Sequence, residues 1–162
     1  MTNEPDYLDL SQLKTYTIDD LNTLEIDDAI SLGLDNSLWI HIALPSNIIQ
    51  INSELAHKAL KKACTVYNSD KTVYMFPKEL SHHRLSLKQG KTSIALSINA
   101  FLENDGQIVN FGLYRTIIKP NYKLTYQEAD EILDYQPKEE DELIKFYLQV
   151  KKHLDYRKRN GL

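Results

Sequence analysis

Five carboxylates, Asp19, Asp20, Glu25, Asp27 and Asp28, fall within ten residues of the stretch Thr17-Ile18-Asp19-Asp20-Leu21-Asn22-Thr23-Leu24-Glu25-Ile26-Asp27-Asp28. Carboxylates held a few ångströms apart repel and raise one another's pKa, unless a cation sits between them or the chain splays them into water. Oxygen ligands on an irregular segment suit Mg²⁺, which keeps several waters and binds through one or two carboxylates together with a substrate phosphate. Two such ions would activate a water and stabilise the leaving oxygen of a phosphodiester. The residues alone leave two readings open: a metal site for nucleic-acid hydrolysis, or an acidic surface turn of the kind Asp and Asn often populate. A calcium loop is excluded. Counted from Asp19, the positions that need oxygen ligands, a glycine and a closing glutamate hold Leu21, Thr23, Leu24 and Ile30.

Such a loop needs a scaffold, and the hydrophobic periodicity predicts an α+β one, a mixed or antiparallel sheet with hairpins packed by helices. Residues 29–43 read as a hairpin turning at Asp35-Asn36, with Leu38, Ile40 and Ile42 on one face of its second strand and Trp39 and His41 on the other. Asn52 or Ser53 caps a helix whose apolar residues Leu55, Ala56, Ala59, Leu60 and Ala63 share a face. Strands over Ser93 to Leu102 and Ile108 to Ile118 flank Asn104-Asp105-Gly106, where glycine supplies the positive φ of a tight turn. Thr125 and Glu128 have capping-box spacing and start a second helix. Leu143, Phe146, Tyr147, Val150 and Leu154 define a long helix from Lys138 to Asn160. Its apolar stripe has nothing after it to cover it, so the chain reads as a unit cut at its C-terminal side.

Composition narrows the classes. A chain of 162 residues suffices for one domain, which at that size buries roughly two-thirds of its unfolded surface. No stretch approaches the ~20 apolar residues of a membrane span, and the start Met-Thr-Asn-Glu-Pro-Asp has neither the basic nor the apolar region of a secretory leader. A soluble, cytoplasmic protein is expected. Net charge is −4, which argues against a general nucleic-acid coat protein, so any nucleic-acid contact must be local. The lysines at 58, 61 and 62 and the basic run Lys151, Lys152, Arg157, Lys158 and Arg159 read as solvated helix faces. Cys64, the sole cysteine, reads as a buried structural thiol rather than a nucleophile.

The order of short motifs along the chain resembles the ribonuclease II (RNB) family. Asp9-Leu10, Leu13, Thr17-Ile18-Asp19, Glu25 and Asp27-Asp28-Ala29 resemble the opening of its catalytic domain. Next come His41-Ile42-Ala43 with Pro45-Ser46, Thr65-Val66-Tyr67, Met75-Phe76-Pro77-Lys78-Glu79-Leu80-Ser81, Ser86-Leu87, Ala95-Leu96-Ser97, the Asn104-Asp105-Gly106 turn and Lys123-Leu124-Thr125-Tyr126. Arg157 with Gly161-Leu162 resembles the helix end reached midway through that domain.

The resemblance implies that residues 1–162 are the N-terminal portion of an RNB-like ribonuclease domain. It implies a Mg²⁺-dependent exoribonuclease (Mn²⁺ being the alternative ion) that degrades single-stranded RNA from its 3′ end and releases nucleoside 5′-monophosphates. Asp19, Glu25, Asp27 and Asp28 would be the catalytic, metal-holding acids, and Tyr67 and Tyr126 would hold the terminal bases. Base-on-aromatic stacking contributes about 1–3 kcal/mol per base and tolerates any sequence. Three features depart from the family pattern: Glu25 stands for aspartate, Leu44-Pro45-Ser46 lacks an acid, and His82-His83-Arg84-Leu85 replaces Asn-x-Leu-Cys. The histidine pair reads either as exposed residues or as phosphate contacts. Activity is expected to need the domain's second half, or another chain covering the C-terminal helix. The competing expectation is a fragment that binds RNA or protein without turnover.

Overall fold

A computed structural model describes residues 6–68 and 70–162. The expectation that there is no secretory leader rests on residues that, apart from Asp6, lie outside this range. The described residues form nine strands: β1 (Leu8–Asp9), β2 (Thr15–Asp19), β3 (Asp28–Leu32), β4 (Leu38–Ala43), β5 (Val66–Tyr67), β6 (Thr72–Val73), β7 (Ser93–Leu102), β8 (Ile108–Ile118) and β9 (Tyr122–Thr125). Three α-helices accompany them: α1 (Glu54–Lys62), α2 (Tyr126–Tyr135) and α3 (Asp141–Arg159). Seven strands make one mixed sheet in the order β1-β8-β7-β4-β3-β2-β9, and β5 and β6 form a separate antiparallel ribbon. The hairpins and the longer-range β4–β7 pairing supply the antiparallel pairs, and the two outermost pairings, β1 with β8 and β2 with β9, are parallel. The expected α+β class and hairpin-built mixed sheet are therefore found.

The β7–β8 hairpin has the expected bounds. Its tip turns at Gly106 with φ of 94° and packs on α3, where Nδ1 of His153 lies 2.9 Å from the Gly106 carbonyl. The β3–β4 hairpin closes through a bond from the Gly33 amide to the Ser37 carbonyl (2.8 Å), with Asn36 at positive φ. Thr125 caps α2 through the full capping box, its hydroxyl accepting from the Glu128 amide while the Glu128 carboxylate accepts from the Thr125 amide (2.8 Å).

Two faces of the sheet are buried differently. Against one, α2 and α3 set Ala129, Leu143 and Phe146 on Tyr16, Leu124, Leu32, Leu38 and Ala100. On the other, Ile26 and Leu87 from two connections pack onto Ala29, Ala43, Ala95 and Ile118. In β4 Leu38, Trp39, His41 and Ala43 are buried, while Ile40 and Ile42 stay partly open.

That second face carries a row of polar side chains across four strands. Ser31 lies 2.7 Å from Nε2 of His41, whose Nδ1 lies 2.7 Å from the Ser97 hydroxyl, itself 2.6 Å from Thr116. Thr116 donates to the Ala95 carbonyl, so it accepts from Ser97. Ser97 then accepts from Nδ1–H of His41, and Ser31 donates to Nε2. The network thus assigns the Nδ1–H tautomer to a fully buried, neutral histidine.

Three sequence expectations are corrected. Cys64 is exposed, not buried: α1 ends at Lys62, Ala63 turns the chain with φ of 65°, and the thiol is carried off the helix's apolar face. Leu60 is 77% exposed, so that face is narrower than its periodicity suggested. The last helix begins at Asp141, because Lys138–Glu140 form a 3₁₀ turn in which buried Glu140 accepts from the Tyr16 hydroxyl (2.5 Å). Its stripe is half covered: Leu143 and Phe146 are buried, while Tyr147 and Leu154 remain open.

Candidate active site

The acidic residues lie on one connection. β2 ends at Asp19, the antiparallel β3 begins at Asp28, and residues 20–27 join the two at one end of the sheet. Hydrogen bonds from several elements pin this loop. Thr23 donates to the Asp20 carbonyl, Leu87 to the Ile26 carbonyl (2.8 Å) and Ala43 to the Asp27 carbonyl (2.7 Å). The Ile26 amide donates to the Ser86 hydroxyl (3.1 Å), and Nζ of Lys123 donates to the Thr23 carbonyl (3.1 Å). Ile26 is the apolar plug, 4% exposed, and its burial leaves Glu25 and Asp27 on either side of it facing outward.

The electrostatics are those of carboxylates crowded together. Burial, and then repulsion from Asp28, Asp27 and Asp20, push the Asp19 carboxyl above its usual range, with Lys123 opposing. Asp27 is pushed up by loss of hydration within the folded loop and by the charges of Glu25 and Asp28. Tyr67, on the β5–β6 ribbon, donates its hydroxyl to the Glu25 carboxylate at 3.0 Å. Partial desolvation, that bond and the neighbouring acids push the phenol up to about 12. Tyr67 and Glu25 share an open cleft of about 490 Å³ with Asp20, Asn22, Thr72 and Tyr74.

Asp19, Glu25, Asp27 and Asp28 are thus brought onto one connection, where Asp28 and Asp27 help raise the Asp19 carboxyl and Glu25 and Asp28 help raise that of Asp27. Among the described residues, no three His, Cys, Asp or Glu side chains converge as a group ready to hold a metal ion. The donor set is nevertheless all oxygen and short of positive charge, which fits a hard cation that binds through one or two carboxylates and keeps its waters. Tyr126 opens α2 directly after Thr125, the register partner of Asp19, and its ring is 60% exposed. It reaches the acidic end from β9 and does not line the cleft of Tyr67 and Glu25.

The histidine pair splits. His83 is exposed and its Nδ1 lies 3.2 Å from Nζ of Lys88. His82 is half-buried, edge-on to Tyr74 at 4.9 Å, with Nε2 enclosed and unpartnered. Lys123 is the site residue whose role sequence reasoning missed. Its signal was available in period-two alternation: buried Leu124 fixes the opposite side for Lys123, the side of Asp19.

Comparison with known proteins follows this geometry. The RNB domain family's sequence profile matches residues 7–162. An uncharacterised ribonuclease of Synechocystis is 37% identical over 170 residues, covering 99% of this chain and 26% of the relative. The chloroplastic/mitochondrial ribonuclease II of Arabidopsis thaliana is 36% identical over 140 residues, covering 84% and 17%. Mycoplasma genitalium RNase R, solved in complex with double-stranded RNA, superposes with a TM-score of 0.79 at 21% identity over 95% of this chain and 28% of that one. The chain therefore spans about a quarter or less of the length of these relatives.

Proposed function

The chain belongs to the RNB domain family, and on that premise we propose that it serves RNA degradation, hydrolysing single-stranded RNA from the 3′ end to nucleoside 5′-monophosphates. The observation that carries this reading is the position of Asp19 and Asp28, at the facing ends of two adjacent strands, with the Asp19 carboxyl pushed up partly by its neighbour. Such repulsion persists in a fold when a cation relieves it in the working state.

Asp19, Asp27 and Asp28, with Glu25 on the cleft side, are the residues that would hold Mg²⁺ or Mn²⁺. When bound, the ion supplies a water activated at neutral pH and a positive charge against the phosphoryl oxygens. The chain's own part is positioning. Lys123, the Ser86 hydroxyl and the Leu87 amide hold the loop, Tyr67 fixes the Glu25 carboxylate through its hydroxyl, and the exposed rings of Tyr67 and Tyr126 offer stacking surfaces for bases. A further polypeptide covering Tyr147, Leu148 and Leu154 on α3 is part of the proposal, since each is more than two-fifths exposed. No described helix is long and apolar enough to cross a membrane. An exposed free Cys64 fits a reducing compartment such as the cytoplasm.

A second reading, RNA binding without turnover, is favoured by the lack of a converged three-acid group among the described residues and by Glu25 in place of aspartate. One assay separates the two. The chain is incubated with a 3′-tailed single-stranded RNA and Mg²⁺ or Mn²⁺, with Asp28→Asn alongside. Release of 5′-monophosphates by the parent but not by the variant is expected for the nuclease; binding without release favours the second reading.

A further inference from the structure

Beside the acidic loop the chain turns basic. Residues 85–88 are joined to that loop through Ser86 and Leu87, and they separate two adjoining hollows of about 310 and 360 Å³. His83, Arg84, Lys88 and Lys91 line the first; His83, Lys88 and Lys123 contribute to the second; no Asp or Glu lines either. Among the described residues none of Arg84, Lys88, Lys91 and Lys123 takes part in an ion pair, although the chain as a whole is acidic. Lys88 and His83 are held side by side at 3.2 Å, and His82, whose Nε2 is enclosed and unpartnered, is among the residues of the second hollow. That hollow runs on through Thr23 and Leu24, which also line the cleft of Glu25 and Tyr67. Cations gathered in a groove that no acid lines, leading to the acidic loop, match a chain of phosphates.

We propose that this groove binds the phosphodiester backbone of single-stranded RNA and guides the strand to the acidic loop, an inference that rests on the nuclease reading for its direction of travel. The groove replaces, locally, the positive surface that the net charge of −4 denies the molecule. It is also a feature of this chain's own residues, since the His82-His83-Arg84 stretch departs from the family pattern.

The test is fluorescence anisotropy of an end-labelled oligouridylate with the full chain, in EDTA and over a range of salt. Two variants of equal charge change are compared: Arg84→Gln/Lys88→Gln/Lys91→Gln in the groove, and Lys151→Gln/Lys152→Gln/Lys158→Gln on α3. Arg84 and Lys91 are exposed and Lys88 is partly so, so the groove variant is expected to melt like the parent. Each lost contact to a single strand removes about 0.7 from the slope of log K against log salt. The groove variant should therefore bind at least tenfold more weakly at low salt with a slope smaller by about 2, and the α3 variant should match the parent.

Parent-like binding by the groove variant, equal losses in both variants, or a parent that binds no RNA overturns the groove. Inorganic phosphate at matched ionic strength that shifts the amide resonances of residues 83–93, without the oligouridylate doing so, marks a free-phosphate site and overturns it too. Monophosphate release is scored separately, so a failed nuclease reading leaves a groove-dependent binding result intact, and a failed groove leaves the nuclease reading intact.

Discussion

The hydroxyl of Tyr67 donates to the carboxylate of Glu25 across 3.0 Å, joining the small β5–β6 ribbon to the acidic loop from 42 residues away in sequence. The ring itself is 69% exposed, so one residue offers both a bond to the site and a surface to a base. Tyr67→Phe keeps the surface and loses the bond, whereas Tyr67→Ala loses both. Stacking contributes about 1–3 kcal/mol per base. Tyr67→Ala should therefore weaken RNA binding by about 5- to 150-fold, with Tyr67→Phe within threefold of the parent. Equal losses in titrations of labelled RNA would show that the hydroxyl, not the ring, is the contact.

Asp19 and Asp27 titrate above their unfolded values, mainly through loss of hydration and then through repulsion from neighbouring carboxylates. A carboxyl raised in the fold binds more protons folded than unfolded, so it detracts from stability as pH rises past its ordinary range. Asp27→Asn should accordingly raise Tm at neutral pH while lowering or abolishing monophosphate release. Mg²⁺ should raise Tm for the parent and less for the variant. A variant that melts lower at neutral pH, with Mg²⁺ effects unchanged, contradicts both the repulsion and the metal assignment.

His41 carries the opposite sign. Burial holds its imidazole down at about 4, against 6.5 when unfolded. The folded state then binds fewer protons, so this contribution is fully present above pH 6.5 and is lost as pH falls through 6.5 towards 4. At about 1.4 kcal/mol per unit of difference, roughly 3 kcal/mol is at stake. Denaturant melts across this range should show a steep acid limb that His41→Gln flattens; an equally steep limb in the variant assigns it elsewhere.

Gly106 combines φ of 94° with a close approach to the Lys152 carbonyl on α3, into which an added Cβ would project. Gly106→Ala must strain the turn or lift the hairpin tip from the helix, at a cost of about 1–3 kcal/mol. In a chain of this size each kcal/mol lowers Tm by about 2–4 °C. Gly90→Ala, with φ of 73° but open space around it, isolates the backbone part; a Gly106 variant no worse than this control would remove the packing argument.

Local chemistry made much of the molecule legible. The β7–β8 hairpin could be bounded because Asn104-Asp105-Gly106 interrupts two alternating runs, and α2 because Thr125 and Glu128 satisfy one another. The acidic loop stood out as a run of charge, but its residues alone did not separate a metal site from an acidic turn; the order of motifs around it did. What stayed hidden was non-local. The parallel pairing of β2 with β9 sets Lys123 beside Asp19, though each looks like an ordinary charge alone. The basic groove draws on residues from 83 to 123, whose individual lysines resemble a solvated surface. Cys64 was misjudged because one residue, Ala63, leaves helical geometry just before it.

The polar row through Ser31, His41, Ser97 and Thr116 also acts as an alignment pin. Strand pairing has a period of two, so a slip of β4 by one residue against β7 would turn His41 to the helix face, send Ile40 or Ile42 inward, leave Ser31 without its partner and strip Ser97 of one of its two. Hydrophobic contacts alone would tolerate such a slip better, because isoleucine is at home on either side. The central strands are thereby committed to one pairing, and with them the ends of β2 and β3 between which the acidic loop is strung.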